Sequence, residues 1–278
     1  MHEIALNTLA ERLFQPVIAV GACIMRHFDD GTETLTKSDG SPVTAADREA
    51  EAIILAALAE IAPGVPVIAE EAASSGEMLS QGETFFLVDP LDGTREFAAR
   101  RPEFTVNIAL VQNKVPVFGL IYAPAISQLY WTVGRRQAFK AIVTCKGAPA
   151  SLKDVAAQRL STRAAHSGAQ TIVASRSHGS QELEAWLRNI EIEARVNIGS
   201  SLKFCLVAEG KADLYPRFGP TKEWDTAAGH AIVLAAGGSV TCTDGTPFLY
   251  AKRETDYLNP AFIVWSGASR AARASAAS

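Results

Sequence analysis

The chain has 278 residues, enough for one large domain or two closely packed ones. Hydrophobic residues make up 48% and charged residues 20%, which allows a sizeable core and excludes global disorder. The formal net charge of −4 argues against a binder of nucleic-acid polymers. An anionic small molecule remains open to it, met by local positive charge or by metal ions. The cysteines at 23, 145, 205 and 242 have neither metal-ligand spacing nor a disulfide framework, and are expected to be buried, reduced thiols. No apolar run approaches the length of a membrane span, and Glu3, Glu11 and Arg12 stand where a signal peptide would be apolar. The reading is a soluble, cytoplasmic protein without an integral membrane segment.

Ile4, Leu9, Leu13, Val17, Val20, Ile24 and Phe28 recur at helical steps and predict a long amphipathic helix, with a bend expected at Pro16. Residues 29–43 read as a loop. A second helix is predicted over 45–61, capped by Thr44. Short β-branched and aromatic runs then predict strands at 65–69, 85–89, 104–111, 117–124 and 129–133, several of them antiparallel neighbours. Segment 146–170 is poor in aromatics and is the expected crossover between an N-terminal α+β domain (1–150) and a C-terminal α/β domain (151–278). In the second half, strands are predicted at 171–175, 191–196, 214–218 and 262–265. Helices are predicted at 179–189, 200–210 and 225–237, and a frayed tail from Gly267.

The most informative stretch is FFLVDPLDGTREF, 85–97. An apolar strand runs into Asp89, Pro90, Leu91, Asp92, Gly93 and Thr94, after which a helix can begin. Two carboxylates at a strand's end suit hard divalent cations, and the amides of Gly93 and Thr94 suit an anion. An ordinary Asp-Pro and Asp-Gly turn is the alternative. Glu70 and Glu71 end the strand at 65–69, where solvated acids are the plain reading. Asp225 follows Trp224 ahead of a small-residue helix, where an N-cap is the plain reading. Asp47 lies three residues past Thr44, so a capping box accounts for it without chemistry. Spacing alone does not show that these acids meet. The DxDGT motif of aspartyl-phosphate phosphatases is similar, but its acids are two apart and these are three apart. A water nucleophile made by metals fits better than an aspartyl nucleophile.

At Glu70-Glu71, Asp89 to Thr94 and Trp224-Asp225 the chain resembles the inositol monophosphatase superfamily of magnesium-dependent, lithium-sensitive phosphatases. DGTREF, PEFTVNIALV, GLIYAP, ASRSH, GSSLKFCLVAEGKADLYPRFGPTKEWDTAAGH and YLNPAF are similar to its bisphosphate-nucleotidase branch. Arg95 stands in place of a common Lys, and Ala98-Ala99 in place of bulkier residues.

The resemblance implies an α/β sandwich of alternating helix and sheet layers. It also implies hydrolysis of the 3′-phosphate of adenosine 3′,5′-bisphosphate to AMP, and a place in sulfur metabolism, with the corresponding phosphosulfate as a further substrate. An inositol or sugar monophosphatase is the alternative within that chemistry, and a non-catalytic metal- or nucleotide-binding module the alternative outside it.

By resemblance Glu70, Asp89, Asp92, Asp225 and the Leu91 carbonyl hold two Mg²⁺ ions, and Asp47 a third. Thr94 with Glu70 or Asp47 orients the attacking water. Gly93, His178, Ser200, Lys203 and Arg217 lie where that branch grips the nucleotide and its second phosphate. Solvated surface charge is the plain reading of Lys203 and Arg217, and a cap or satisfied polar residue that of His178. His2, His27 and His166 carry no pattern, and His230 is expected to pack in its apolar helix. The partner implied is a small bisphosphate nucleotide, with some members of the branch placed on the inner face of the cell membrane.

Overall fold

The computed structural model describes residues 5–31, 34–36, 42–75, 82–176 and 180–267. The amphipathic stripe forms α1 (Leu6–Asp30), continuous through Pro16, with Leu9, Leu13, Val17, Val20 and Ile24 buried. Contrary to the reading of its apolar runs, α1 is long and apolar enough to cross a membrane by length and composition. Its apolar face is used inside the fold, against α2 and the first sheet. The expected loop at 29–43 instead contains β1 (Thr34–Thr36) and β2 (Pro42–Thr44), which pair antiparallel. Next, α2 (Ala45–Ile61) opens on the expected cap. The Ala46 amide donates to Thr44 Oγ1 at 3.1 Å, and Asp47 Oδ2 accepts from the Thr44 amide at 2.7 Å.

The strands β3 (Val67–Ala69), β4 (Thr84–Asp92), β5 (Thr105–Gln112), β6 (Val115–Ala123), β7 (Gln128–Val133), β8 (Gln137–Ile142) and β9 (Gln158–Arg159) form one sheet in sequence order. β3 and β4 are parallel, and the other neighbours antiparallel. Short helices α3 (Glu70–Ser74) and α4 (Thr94–Ala98) follow β3 and β4. Period-two alternation builds two cores from this sheet. Phe86, Val88, Val106, Ile108, Leu120 and Tyr122 face α1 and α2, while Phe85, Leu87, Ala109, Val111 and Ile121 face the opposite way. Each large side chain so buried is worth about 1.5–3 kcal/mol before its entropy cost. That explains continuous apolar runs where a one-sided sheet would alternate.

A second sheet has the order β11-β10-β12-β14-β13, from β10 (Gln170–Ser175), β11 (Ile192–Ile198), β12 (Leu214–Arg217), β13 (Ser239–Cys242) and β14 (Phe262–Trp265). The helices are α5 (Gln181–Leu187), α6 (Leu202–Ala208) and α7 (Glu223–Ala235). α6 and α7 fill the space between the sheets, and Leu183 and Leu187 of α5 cover the outer face of the second. The layers therefore run helix, sheet, helix, sheet, helix, the sandwich expected. Gly119 allows the central contact, because a Cβ there would run into the Ala228 carbonyl of α7. Strands β8, β9 and β13 were not anticipated. All four cysteines are free thiols as expected, but Cys145 and Cys242 are only partly buried. The tail beyond Gly267 lies outside the described residues.

Candidate active site

β3 and β4 run parallel with Ala69 beside Val88, so Glu70 and Asp89 leave adjacent strands at the same edge. The carboxyl ends of parallel strands are where open sheets place ligands. Glu70 and Glu71 are therefore the first residues of α3 rather than the end of a strand. Glu51 of α2 fixes that corner by accepting from the amides of Glu71 at 2.8 Å and Ala72 at 2.9 Å. In β4, Asp89 pairs with Asn107 and Asp92 with Thr105, so Pro90 and Leu91 together oppose Val106. A regular strand sends residues three apart to opposite faces. The bulge adds one residue and returns Asp92 to the side of Asp89. Gly93 then turns the chain in the left-handed region (φ 96°), with the Glu103 carbonyl 3.0 Å from where a Cβ would stand. Thr94 opens α4, and its Oγ1 lies 3.1 Å from the Leu91 carbonyl and 3.3 Å from Asp47 Oδ1.

Asp225 comes from the opposite side. It is not an N-cap, because α7 begins at Glu223; its Oδ2 accepts from the Lys222 amide at 2.8 Å. The structure thus brings Glu70, Asp89, Asp92 and Asp225 together, and reaches Asp47 through Thr94. Asp89 is 1% exposed and shares a hydrogen bond with Glu70. Burial raises its pKa well above the usual carboxylate range, and Glu70, Asp92 and Asp225 raise it further. Asp225 is raised by burial and then by Asp92 and Glu70. Burial also raises Asp92, but Lys203 and the Ser201 hydroxyl oppose it. Three carboxyls pushed toward protonation by burial, two of them, Asp89 and Asp225, by their neighbouring acids as well, beside Glu70 and with oxygen as the donor throughout, suit a hard divalent cation.

Three residues that hold this site were missed in the sequence. Ser201 Oγ donates to Asp92 Oδ2 at 2.9 Å, and Asn107 Nδ2 reaches Ser201 Oγ at 2.9 Å. Glu51 is the third. Asn107 within FTVNIALV and Glu51 on the inner face of α2 are polar residues at core positions, a legible signal; Ser201 shows in the sequence only as part of GSSLKF, the stretch similar to the nucleotide-gripping segment, and not as a partner of Asp92.

An open cleft of about 840 Å³ joins Glu70, Asp92, Thr94 and Asp225 to Ser200, Lys203 and Arg217. The surface-charge reading of the two cations fails, since Lys203 is 6% and Arg217 7% exposed. Lys203 donates to the Ser200 carbonyl and lies 5.5 Å from the centre of the Tyr215 ring. Burial brings its pKa down to about 8; Asp92 opposes that fall and Arg217 adds to it. Arg217 donates to the carbonyls of Gly219 at 3.1 Å and Pro220 at 2.8 Å. The Ser200 hydroxyl is buried without a hydrogen-bond partner. His178 lies outside the described residues. His230 packs as expected, with Nδ1 3.1 Å from the Tyr250 hydroxyl.

Residues 6–275 match the model of the inositol monophosphatase family, and the chain belongs to that family. It is 41% identical over 258 residues to the 3′(2′),5′-bisphosphate nucleotidase CysQ of Salmonella typhimurium, covering 92% of this chain and 99% of that one. Against the enzyme of the same name from Escherichia coli K12 it is 42% identical, covering 88% and 94%. The crystal structure of CysQ from Bacteroides thetaiotaomicron, a bacterial member of the family, superposes with a TM-score of 0.77 at 39% identity, over 95% of this chain and 98% of that chain.

Proposed function

We propose that this chain is a 3′(2′),5′-bisphosphate nucleotidase that removes the 3′-phosphate of adenosine 3′,5′-bisphosphate, giving AMP and phosphate. The family, and the two relatives at 41% and 42% identity that carry that name, support the reaction class. The observation that carries the choice of substrate is the buried cation pair. Lys203 and Arg217 share the cleft with the carboxylates, and an inositol monophosphate has no second phosphate to use them.

Glu70, Asp89, Asp92, Asp225 and the Leu91 carbonyl would hold Mg²⁺, with Asp47 available to a further ion. Bound divalent cations supply Lewis-acid activation of water and neutralise charge on the leaving oxygen. The chain's own residues position the rest. Thr94 Oγ1, 3.3 Å from Asp47 Oδ1, accepts a proton from the attacking water as it passes its own to Asp47. That contact favours Asp47 over Glu70 as its partner. Ser201 and Asn107 fix the direction of Asp92. Lys203, Arg217 and the unpartnered Ser200 hydroxyl hold the phosphate that stays, with His178 assigned to the nucleotide. The partner is thus a small molecule.

The test is phosphate release with Mg²⁺ from the bisphosphate nucleotide and from myo-inositol 1-phosphate in parallel. Faster turnover of the inositol phosphate would assign a monophosphatase, and release from neither a binding module.

A further inference from the structure

A second set of metal-ligating side chains lies on the outer helix layer, where none of its members lines the cleft. Cys23 and His27 stand four apart on α1 and so share a face; Glu49 of α2 meets them. One donor atom from each falls within 4.8 Å of the other two. Cys23 Sγ is 3.4 Å from Glu49 Oε2, and His27 Nε2 is 3.2 Å from Glu49 Oε1. Zinc bond lengths of about 2.0–2.3 Å put tetrahedral donors roughly 3.3–3.8 Å apart; each Glu49 oxygen stands near that distance from one of the other donors, Oε2 from Cys23 and Oε1 from His27, so rotation of the carboxylate would bring one oxygen to serve both.

A positive group stands among these donors. Arg26 Nη2 is 2.5 Å from Glu49 Oε2, 3.4 Å from His27 Nε2 and 3.8 Å from Cys23 Sγ. Its side chain is 59% exposed and can swing into solvent without opening the core.

We propose that Cys23, His27 and Glu49 form a site for a borderline-soft divalent transition-metal cation of the Zn²⁺ type, whose place the Arg26 guanidinium holds until metal displaces it. Thiolate, imidazole and carboxylate together select this class over Mg²⁺, which the all-oxygen cleft suits. On coordination the Cys23 thiol gives its proton to solvent. Thiolate and carboxylate then balance the ion's two charges, and water fills the fourth position. The ion would tie α1 to α2.

The site is read with Co²⁺ titrated into the full chain at saturating Mg²⁺, which keeps the oxygen site filled. A thiolate-to-cobalt charge-transfer band in the near ultraviolet is expected at a single equivalent, and Zn²⁺ should abolish it. Cys23→Ser should lose the band. Arg26→Ala should tighten binding by about two- to fivefold, the worth of an exposed ion pair. No band in the wild type, or a band that survives Cys23→Ser, overturns the site. Unchanged or weaker affinity in Arg26→Ala overturns the displacement. If Cys23→Ser does not fold, Glu49→Gln carries the test. It should weaken Co²⁺ binding by at least the roughly 10- to 100-fold that losing an outer-shell partner costs, and unchanged affinity overturns the site.

Discussion

Replacing Asp89 by Asn should make the metal-free protein more stable and the enzyme inactive. Asp89 is 1% exposed, and burial, Glu70, Asp92 and Asp225 all push its pKa upward. Asn keeps the shape and the acceptor for the Leu91 amide, now 3.0 Å from Asp89 Oδ1, and removes the charge. Each like-charge pair at close range costs about 1–4 kcal/mol between effective dielectrics of 80 and 20. Proton uptake limits the relief. Protonating a carboxyl at pH 7, about three units above its free value, costs about 1.4 kcal/mol per unit, so no more than about 4 kcal/mol can be stored.

The expected gain in EDTA is therefore about 1–4 kcal/mol, or roughly 2–16 °C in Tm at 2–4 °C per kcal/mol. A carboxyl raised in the fold gives its full stability below the unfolded pKa and loses it as pH rises through the folded one. The gap over wild type should accordingly widen with pH. With Mg²⁺ at 100 times its Kd the wild type should gain about 2.7 kcal/mol and the variant little. Differential scanning fluorimetry with and without Mg²⁺, beside a phosphate-release assay, reads both effects. Activity should fall by about 100-fold or more, the scale of losing one electrostatic group at a reacting centre. A variant less stable than wild type in EDTA, or one with an undiminished Mg²⁺ shift, would refute the reasoning.

Arg217→Ala should lower kcat/KM on the bisphosphate nucleotide by roughly 10- to 150-fold, the worth of a charge-assisted contact, and leave a monophosphate substrate less affected. Equal loss on both would make Arg217 structural through its bonds to Gly219 and Pro220. Lys203→Ala is the less selective probe, because Lys203 also faces Asp92. His230 is held neutral by burial and then by Lys252, its pKa lowered to about 3. Stability from this group is full above about 6.5 and falls by about 1.4 kcal/mol per unit as pH drops toward 3. Denaturant midpoints from pH 7 to 4.5 should fall less steeply in His230→Leu; parallel slopes would count against it. Inorganic phosphate should bind more tightly with Mg²⁺ than in EDTA by calorimetry, and equal affinity would deny any coupling between the metal and the anion.

Much of this was legible because the signals are local. Thr44 and Asp47 read as a capping box and form one, and the apolar runs from 85 to 133 read as strands because both faces of their sheet are buried. DPLDGT read as a metal motif because carboxylate spacing at a strand end is a sequence property. What failed depended on distant chain. β8 and β13 alternate weakly, and only their neighbours make them strands. Glu70 and Glu71 looked like a strand end because nothing in VPVIAEE shows that Glu51 will hold their turn. Lys203 and Arg217 are placed at the nucleotide only by resemblance, because composition by itself puts such residues outside, whereas the cleft supplies their counter-charge. Cys23 and His27 showed no pattern, since the third member of their cluster, Glu49, comes from another helix.

The two kinds of charge in the cleft explain one another. A buried Lys beside a buried Arg is costly, and a cluster of buried carboxylates is costly, yet Asp92 and Asp225 favour the charged form of Lys203. In the metal-free protein the carboxylates that lack a divalent cation lean on Lys203, and Lys203 leans on them. Were divalent cations to satisfy Glu70, Asp89, Asp92 and Asp225 as proposed, that support would be withdrawn from Lys203 and Arg217, which would remain buried and positive. Glu96 would remain as a partial counter-charge for Lys203, and an anion entering the cleft beside the unpartnered Ser200 hydroxyl would supply the rest. Metal binding would therefore turn a cleft balanced within itself into one that favours phosphate. By linkage the phosphate holds the metal equally, so neither ligand's affinity is a property of its own residues alone.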